Sequence, residues 1–276
     1  MILVYHDFSE DNNSNTKCKK SFTRCIRKSD ITFIINNQNV MCYNKSMNFT
    51  NAYFITGNAY AGKSTMVKLL AQKYNGIACE ENYHDSLLEG LDAKEFPCLT
   101  YTRDLQDWHD FIRRSPQEYK DWIDGAAREC EILELRILED LVKTSPDKKI
   151  FVDTNISLET LGQITEHNHV LIMLADPQIS VRRFFERPDK EKQFLYQLIM
   201  EEPDPEAALD NYRKGLELIN SQENYDRFLN SGFNVILRDE KLGVEGTLKI
   251  VEEKLCINIT NHNTNVGFFS NSSITG

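Results

Sequence analysis

Residues 57–65 carry the clearest chemical signal in the chain, because they fit the pattern GxxxxGK[ST]. In such a segment glycines let backbone N–H groups wrap around phosphate oxygens, and the positive end of the following helix faces the same anion. Lys63 would bridge two phosphate groups, and Ser64 would offer its hydroxyl to Mg²⁺. We therefore predict a nucleoside triphosphate site, in preference to a plain glycine turn. The predicted nucleotide-binding residues are Gly57, Asn58, Ala59, Tyr60, Ala61, Gly62, Lys63, Ser64 and Thr65.

An aspartate follows a later β-prone run and is the predicted partner of Ser64 at the metal. The run is 149–152 and the aspartate is Asp153, about ninety residues after Lys63. An acid at the end of a buried strand can hold Mg²⁺ or one of its waters. The alternative is an ordinary strand-ending aspartate that caps the next segment.

These residues need a scaffold, and the chain alternates β-prone runs with helical patterns, which indicates a parallel sheet wrapped by helices. We predict a three-layer α/β/α fold with a central, mainly parallel five-stranded sheet. The predicted strands are 52–56, 76–79, 149–152, 170–174 and 234–237. The predicted helices are 63–74, a long one after Pro116, 179–186, 190–200, 205–229 and 246–255.

Composition divides the chain into a central domain and two peripheral segments. Residues 1–47 are polar at first and then contain two short β-prone runs spaced as in a β-hairpin, so we predict an N-terminal appendage. Residues 48–258 form the predicted nucleotide-binding domain. Residues 259–276 are rich in Asn, Ser, Thr and Gly, which predicts a flexible tail.

Charge and hydropathy exclude several classes of protein. The net charge is −10 and no dense Lys/Arg cluster is interleaved with aromatic residues, so we expect no duplex nucleic-acid partner. No apolar run approaches the roughly 20 residues that span a bilayer, so we expect no membrane association. The seven cysteines are scattered and odd in number, which indicates reduced thiols and a cytoplasmic protein. The oligomeric state stays open.

The chain resembles the nucleotide-kinase-like branch of the P-loop nucleoside triphosphate hydrolase superfamily, which includes adenylate, cytidylate and shikimate kinases and deoxynucleoside kinases. The resemblance covers about 52–255 and rests on four features: the 57–65 loop, the acidic segment 80–85, Asp153, and the arginine-bearing stretch 176–190. It implies an ATP-dependent kinase that uses Mg²⁺ and phosphorylates a small molecule. ATP is assumed by frequency and GTP stays open, as does the acceptor: a nucleoside, a nucleotide, a sugar-like metabolite or an antibiotic hydroxyl.

In the resembled kinases the stretch after the fourth strand is a mobile lid that carries arginines. Arg183 and Arg187 are four residues apart and are expected to share a helix face and to close over the moving phosphoryl group. The alternative is a solvated helix in which both arginines pair with neighbouring acids.

Two further roles are predicted near the acceptor. Glu80 or Glu81, right after the second strand, would act as the base that receives the acceptor proton, with Asp85 in reserve; the alternative is a surface acidic turn. Arg128 is a candidate ligand for an acceptor phosphate, although an ion pair with Glu129 or Glu131 is the plainer interpretation.

Rival classes lack their own signals. A GTPase would need an Asn-Lys-x-Asp motif, which is absent from the sequence, and a glycine in the segment after Asp153. An ATP-driven remodelling machine would show paired acids, whereas Thr154 follows Asp153. The alternative that remains is a nucleotide-binding sensor or partner-binding protein without productive transfer.

Overall fold

The structure of the protein is a computed structural model that describes residues 49–239 and 241–257. The predicted N-terminal appendage, with its β-hairpin, and the predicted C-terminal tail lie outside the described residues. Among the described helices, none is both long enough and apolar enough to cross a membrane.

Within residues 49–239 and 241–257, five strands form one parallel sheet, which confirms the predicted fold class and makes the sheet wholly rather than mainly parallel. The strands are β1 (Ala52–Gly57), β2 (Ile77–Cys79), β3 (Ile150–Asp153), β4 (Val170–Leu174) and β5 (Asn234–Leu237). They lie in the order β2-β3-β1-β4-β5, and each neighbouring pair runs parallel. Strands β3 and β4 are buried along their whole length, as expected where helices cover both faces of a sheet.

In the part of the chain that the structure describes, ten α-helices connect or cover the strands. They are α1 (Lys63–Lys73), α2 (Pro97–Asp104), α3 (Trp108–Ile112), α4 (Pro116–Thr144), α5 (Leu158–Ile164), α6 (Pro177–Arg182), α7 (Lys190–Glu201), α8 (Pro205–Ile219), α9 (Gln222–Leu229) and α10 (Val244–Lys254). Short 3₁₀ helices cover Asp85–Gly90, His167–His169 and Phe184–Glu186.

The two faces of β1 define the three layers. Tyr53 and Ile55 pack with buried residues of α1 and α10, whereas Phe54 packs with buried residues of α4 and α5. Because successive side chains of a strand point to opposite faces, one strand divides the core into two apolar clusters. Because β1 is the central strand, its carboxyl end and the loop that follows it lie in the middle of the row formed by the carboxyl ends of the five strands.

A third apolar cluster lies away from the sheet, between α4 and the helices α2, α3, α7 and α8. Phe111, Tyr119, Trp122 and Tyr212 are buried in it. Helix α4 begins at a capping box, in which the Ser115 hydroxyl accepts from the Glu118 backbone N–H and the Glu118 carboxylate accepts from the Ser115 N–H. This cluster supports the part of α4 that extends beyond the sheet.

Two of the predicted helices have different bounds in the structure. The predicted helix 205–229 is two helices, because the Ser221 hydroxyl accepts from the Asn224 N–H and caps a new helix, α9. The predicted helix 179–186 ends at Arg182 and is followed by a 3₁₀ turn. Both corrections bear on the site, since α9 lines it and the 3₁₀ turn belongs to the predicted lid.

Candidate functional site

The 57–65 loop joins the end of β1 to the start of α1 and is held in an unusual backbone conformation. Gly57 has φ +129° and Gly62 has φ +92°. A Cβ atom on Gly57 would lie 2.0 Å from the Met173 carbonyl oxygen of β4, so this position requires glycine. The Asn58 side chain fixes the loop to the end of β4: Nδ2 donates to the Ala175 carbonyl (2.7 Å) and Oδ1 accepts from the Ala175 N–H (2.8 Å).

The amino end of α1 is open to an anion. Within the described residues no side chain caps it, and its first turn holds no acidic residue. By contrast, serine side chains cap the starts of α4, α5 and α9. The first backbone N–H groups of a helix have no helical acceptor and carry its positive dipole end. This end of α1 can therefore bind a negatively charged group.

Three predicted site residues meet at this helix end. The Ser64 hydroxyl donates to Asp153 Oδ2 at 2.6 Å, and Lys63 Nζ lies 3.9 Å from Asp153 Oδ1. Lys63 Nζ also donates to the Asn58 carbonyl at 3.2 Å, inside the loop. Asp153 reaches Ser64 because its strand is the direct neighbour of β1, with Ile55 opposite Asp153 in the register.

Burial dominates the electrostatics of Asp153, which is 4% exposed. Burial raises the pKa of this carboxyl and the charge of Glu81 adds to the rise, whereas Lys63 and the Ser64 hydroxyl act in the opposite direction. A hydroxyl and a carboxylate at 2.6 Å are the oxygen donors that Mg²⁺ prefers. In the described chain no group of three or more His, Cys, Asp and Glu could hold a metal. Ser64 and Asp153 alone would supply two oxygen ligands to such an ion.

A cavity of about 570 Å³ opens from these residues. Lys63, Glu81 and Asp153 are among the residues that line it. Helix α4 contributes Tyr119, Lys120, Ile123, Asp124, Ala127 and Arg128 to the lining. The end of α8 and helix α9 supply Leu216, Asn220, Ser221, Asn224, Tyr225 and Phe228. The lining mixes charged, amide and apolar side chains, so the cavity suits a small molecule with both polar and apolar parts.

The structure separates the two predicted bases. Glu81 lines the cavity, whereas Glu80 forms an ion pair with Lys68 at 2.9 Å and both of these side chains are more than half exposed. Asp85, the reserve candidate, lies 3.9 Å from the buried His84 and is not among the cavity-lining residues. Of these acids, only Glu81 is placed to meet a molecule in the cavity.

Arg183 and Arg187 do not share a helix face, so that expectation was wrong. Helix α6 ends at Arg182, and Arg187 has an extended backbone because it precedes Pro188, which disfavours helix. Arg183 Nε lies 2.7 Å from Glu186 and Arg187 Nε lies 2.7 Å from Asp189. Neither arginine lines the cavity.

The predicted lid nevertheless contacts the 57–65 loop through Tyr60. The Tyr60 hydroxyl donates to the Arg183 carbonyl oxygen, and the Arg187 guanidinium lies 5.5 Å from the centre of the Tyr60 ring. Tyr60 itself has φ +65°, an uncommon conformation for a residue with a side chain. The Ser180 hydroxyl of the same stretch also donates to the Ala59 carbonyl oxygen at 3.4 Å, so two neighbouring residues of the loop, Ala59 and Tyr60, contact the lid stretch.

Arg128 lines the cavity wall and is exposed. The two glutamates expected to pair with it are engaged elsewhere: Glu129 accepts from the backbone N–H groups of Cys98 and Leu99, and Glu131 accepts from Ser157. The ion pair of Arg128 with Glu129 or Glu131, which the sequence also allowed, is therefore not what the structure shows.

Glu134 belongs to the surroundings of the site and was not predicted. It lies on the buried face of α4, is 0% exposed, and accepts hydrogen bonds from Thr154 and Asn155, the residues right after Asp153. The sequence does contain a signal, since Glu134 interrupts the apolar positions Cys130 and Ile137 at helical spacing. A charged residue on such a face needs buried partners.

Comparison of the chain with models of known protein families and with curated proteins finds no match. The described residues provide an uncapped start of α1, a hydroxyl–carboxylate pair beside it, and a second carboxylate, Glu81, in the adjoining cavity.

Proposed function

We propose that the protein is an ATP-dependent small-molecule kinase, which transfers the γ-phosphate of ATP to a hydroxyl or phosphate acceptor bound in the 570 Å³ cavity. The observation that carries the proposal is the 2.6 Å contact between Ser64 Oγ and Asp153 Oδ2, with Lys63 beside it; Lys63 and Asp153 both line that cavity. A lysine, a hydroxyl and a carboxylate in this arrangement are the groups that hold a nucleoside triphosphate and its Mg²⁺.

Each group of the 57–65 loop has a distinct role in this proposal. Backbone N–H groups at the start of α1 bind phosphate oxygens, and the Lys63 ammonium stabilises charge on the β- and γ-phosphates. Mg²⁺ would be held by Ser64 and Asp153, and when bound it neutralises charge on the phosphate oxygens. Asn58 fixes the loop to β4 so that these groups are oriented before the substrate arrives.

Glu81 is the proposed base for a hydroxyl acceptor, because it lines the cavity together with Lys63 and Asp153, and its charge acts on Asp153. In the transfer step the acceptor oxygen forms a bond to the γ-phosphorus, and the bond between that phosphorus and the ADP oxygen breaks. The hydroxyl proton passes to the Glu81 carboxylate. Glu80 is not assigned this role, since its carboxylate is paired with Lys68 outside the cavity.

Membership of the nucleotide-kinase-like branch of P-loop proteins is part of the proposal. Support comes from the parallel five-stranded sheet and from the position of the 57–65 loop at the carboxyl end of its central strand. Arg183 and Arg187 would leave Glu186 and Asp189 and turn to the phosphates when the lid closes. A cytoplasmic location, where ATP is made and thiols stay reduced, completes the proposal.

The test is a phosphate-transfer screen with Mg²⁺-ATP and a panel of nucleosides, nucleotides, sugars and aminoglycoside-like alcohols, read as acceptor-dependent ADP release. Lys63→Ala should lower that release by about 100-fold or more, because the ammonium acts on phosphate charge and not on the core. Lys68→Ala is the matched control: it lies on the same helix, is exposed and pairs with Glu80, so its rate should stay within about twofold of wild type. Equal rates in the two variants would refute the proposal.

A second candidate is a protein that binds the nucleotide without transferring phosphate. The observation that favours it is the engagement of both lid arginines with nearby acids, away from the cavity. In that case ATP would bind tightly and Lys63→Ala would weaken the binding, yet no acceptor in the panel would increase ADP release.

A further inference from the structure

A buried carboxylate on α4 joins two segments that carry proposed site residues. Glu134 Oε2 accepts from the Thr154 hydroxyl at 2.7 Å and from the Asn155 backbone N–H at 3.1 Å, and Oε1 accepts from Asn155 Nδ2 at 2.9 Å. These donors lie one and two residues after Asp153. Thr154 is also tied to β1, since its N–H donates to the Ile55 carbonyl at 3.1 Å. The chain just after β3 is thus held from two sides.

The same carboxylate contacts the segment after β2. The Tyr83 hydroxyl donates to Glu134 Oε2 at 3.4 Å, and His84 Nδ1 lies 3.5 Å from Glu134 Oε1. The Tyr83 N–H donates to the Glu80 carbonyl at 3.1 Å and closes a turn that contains Glu81. The hydrogen bond from Tyr83 to Glu134 therefore holds the turn that presents Glu81 to the cavity.

His84 and Cys130 complete the buried surroundings of Glu134. Both are buried, and His84 Nε2 lies 3.2 Å from Cys130 Sγ. If the thiol donates to Nε2, the ring proton is on Nδ1 and faces Glu134. Burial raises the pKa of the Cys130 thiol, and the charge of Glu134 adds to the rise, so the thiol stays protonated and structural.

From these contacts we infer that Glu134 is a positioning residue: it fixes Asp153, the proposed metal ligand, relative to Glu81, the proposed base. The inference rests on the proposed function. The reason is geometric, because the two acids lie at the ends of separate strands, β3 and β2, and Glu134 is the carboxylate that contacts the segments following both. The fully buried Glu134 carboxyl accepts hydrogen bonds from both segments, so displacing it should move both acids.

The test compares wild type with Glu134→Gln, which keeps the shape but replaces one acceptor oxygen with an NH₂ donor. That NH₂ would face the Thr154 and Asn155 donors, so the segment after β3 should shift. Isothermal titration gives the Kd of ATP with and without Mg²⁺. We expect the strengthening by Mg²⁺ to fall about tenfold or more in the variant, while the Mg²⁺-free Kd stays within about twofold, because the 57–65 loop is untouched.

Hydrogen exchange provides a readout that needs no catalysis. In Glu134→Gln, backbone N–H groups of residues 81–84 and 153–157 should exchange about tenfold faster, which is the expected effect of losing a charged hydrogen-bond acceptor. Glu129→Gln is the matched control, since Glu129 is on the same helix but accepts from Cys98 and Leu99 at the start of α2. It should raise exchange around those residues only and leave the Mg²⁺ effect unchanged.

The outcomes separate the two proposals. A wild-type protein that does not bind ATP refutes the proposed function and, with it, this role of Glu134. A wild-type protein that binds ATP more tightly with Mg²⁺, together with a folded Glu134→Gln variant that matches it in Mg²⁺ effect and exchange, refutes only the role of Glu134. Should Glu134→Gln not fold, Thr154→Val decides: it removes the 2.7 Å hydrogen bond and should reduce the Mg²⁺ effect, and an unchanged effect overturns the inference.

Discussion

The replacement of Gly57 by alanine should strongly destabilise the protein, because the new methyl group has no room. Gly57 pairs with Met173 across the β1–β4 ladder and has φ +129°. An added Cβ would lie 2.0 Å from the Met173 carbonyl oxygen and 2.9 Å from its carbonyl carbon. Both contacts are with the backbone of a fully buried strand, so no flexible side chain can move aside.

Two effects add to the expected loss of stability. A left-handed backbone at a residue with a side chain costs roughly 1–2 kcal/mol. Relieving a 2.0 Å contact also requires β1 and β4 to separate by more than an ångström, which weakens ladder hydrogen bonds and opens the core. Together we expect a loss of about 4 kcal/mol, at the high end for single substitutions. At about 2–4 °C per kcal/mol for a protein of this size, the Tm should fall by about 10 °C or more.

Two other glycines separate these effects. Gly232 has φ +87° but nothing within 4 Å of an added Cβ, so Gly232→Ala should show the backbone effect alone, about 2–8 °C. Gly90 has neither a positive φ nor a neighbour within 4 Å, so Gly90→Ala should change little. Thermal unfolding followed by circular dichroism measures all three variants. A Gly57→Ala variant that melts within about 2 °C of Gly232→Ala would refute the steric reasoning.

Two further predictions follow from buried carboxyls. Asp153→Asn should reduce Mg²⁺-dependent ATP binding by about tenfold or more. It should also raise the Tm of the nucleotide-free protein at neutral pH, because burial raises the pKa of Asp153 and its charge is unfavourable there. The difference should vanish as the pH falls below about 3, under the ordinary pKa of 3.8, where the carboxyl is protonated in both states. Burial likewise raises the pKa of Glu191 to about 7, with Asp189, Asp85 and Glu81 adding to the rise and Lys192 opposing it. Its stabilising contribution is therefore present below its ordinary value of 4.5 and is lost as the pH rises through about 7. Glu191→Gln should match wild type near pH 5 and melt about 2–4 °C higher near pH 8.5, after allowance for solvent screening; equal melting at both pH values would contradict the assignment.

The amino-acid sequence alone was sufficient to predict the five strands and the residues that meet at the carboxyl ends of β1 and β3. All five predicted strands are present within a residue or so of their predicted bounds. Ser64 and Asp153, about ninety residues apart, were paired by prediction and lie in contact. Such features are local: an apolar run, a glycine pattern or a strand-ending acid is visible without knowledge of what packs against it.

Contacts between distant segments decided the rest. Glu80 and Glu81 are adjacent in the sequence, yet Glu80 pairs with Lys68 and Glu81 lines the cavity. The side chains of adjacent residues point in different directions from the backbone, so one faces solvent and the other faces the site. The predicted lid arginines, Arg183 and Arg187, do not share a helix face, because helix α6 ends at Arg182, before Pro188. The proposed role of Glu134 depends on its contacts with the segments that follow β2 and β3, which arise from the packing of α4. Residue type and spacing determine which groups are available for chemistry, whereas the packing of separate elements determines which of them meet, since burial and hydrogen-bond partners come from segments far apart in the chain.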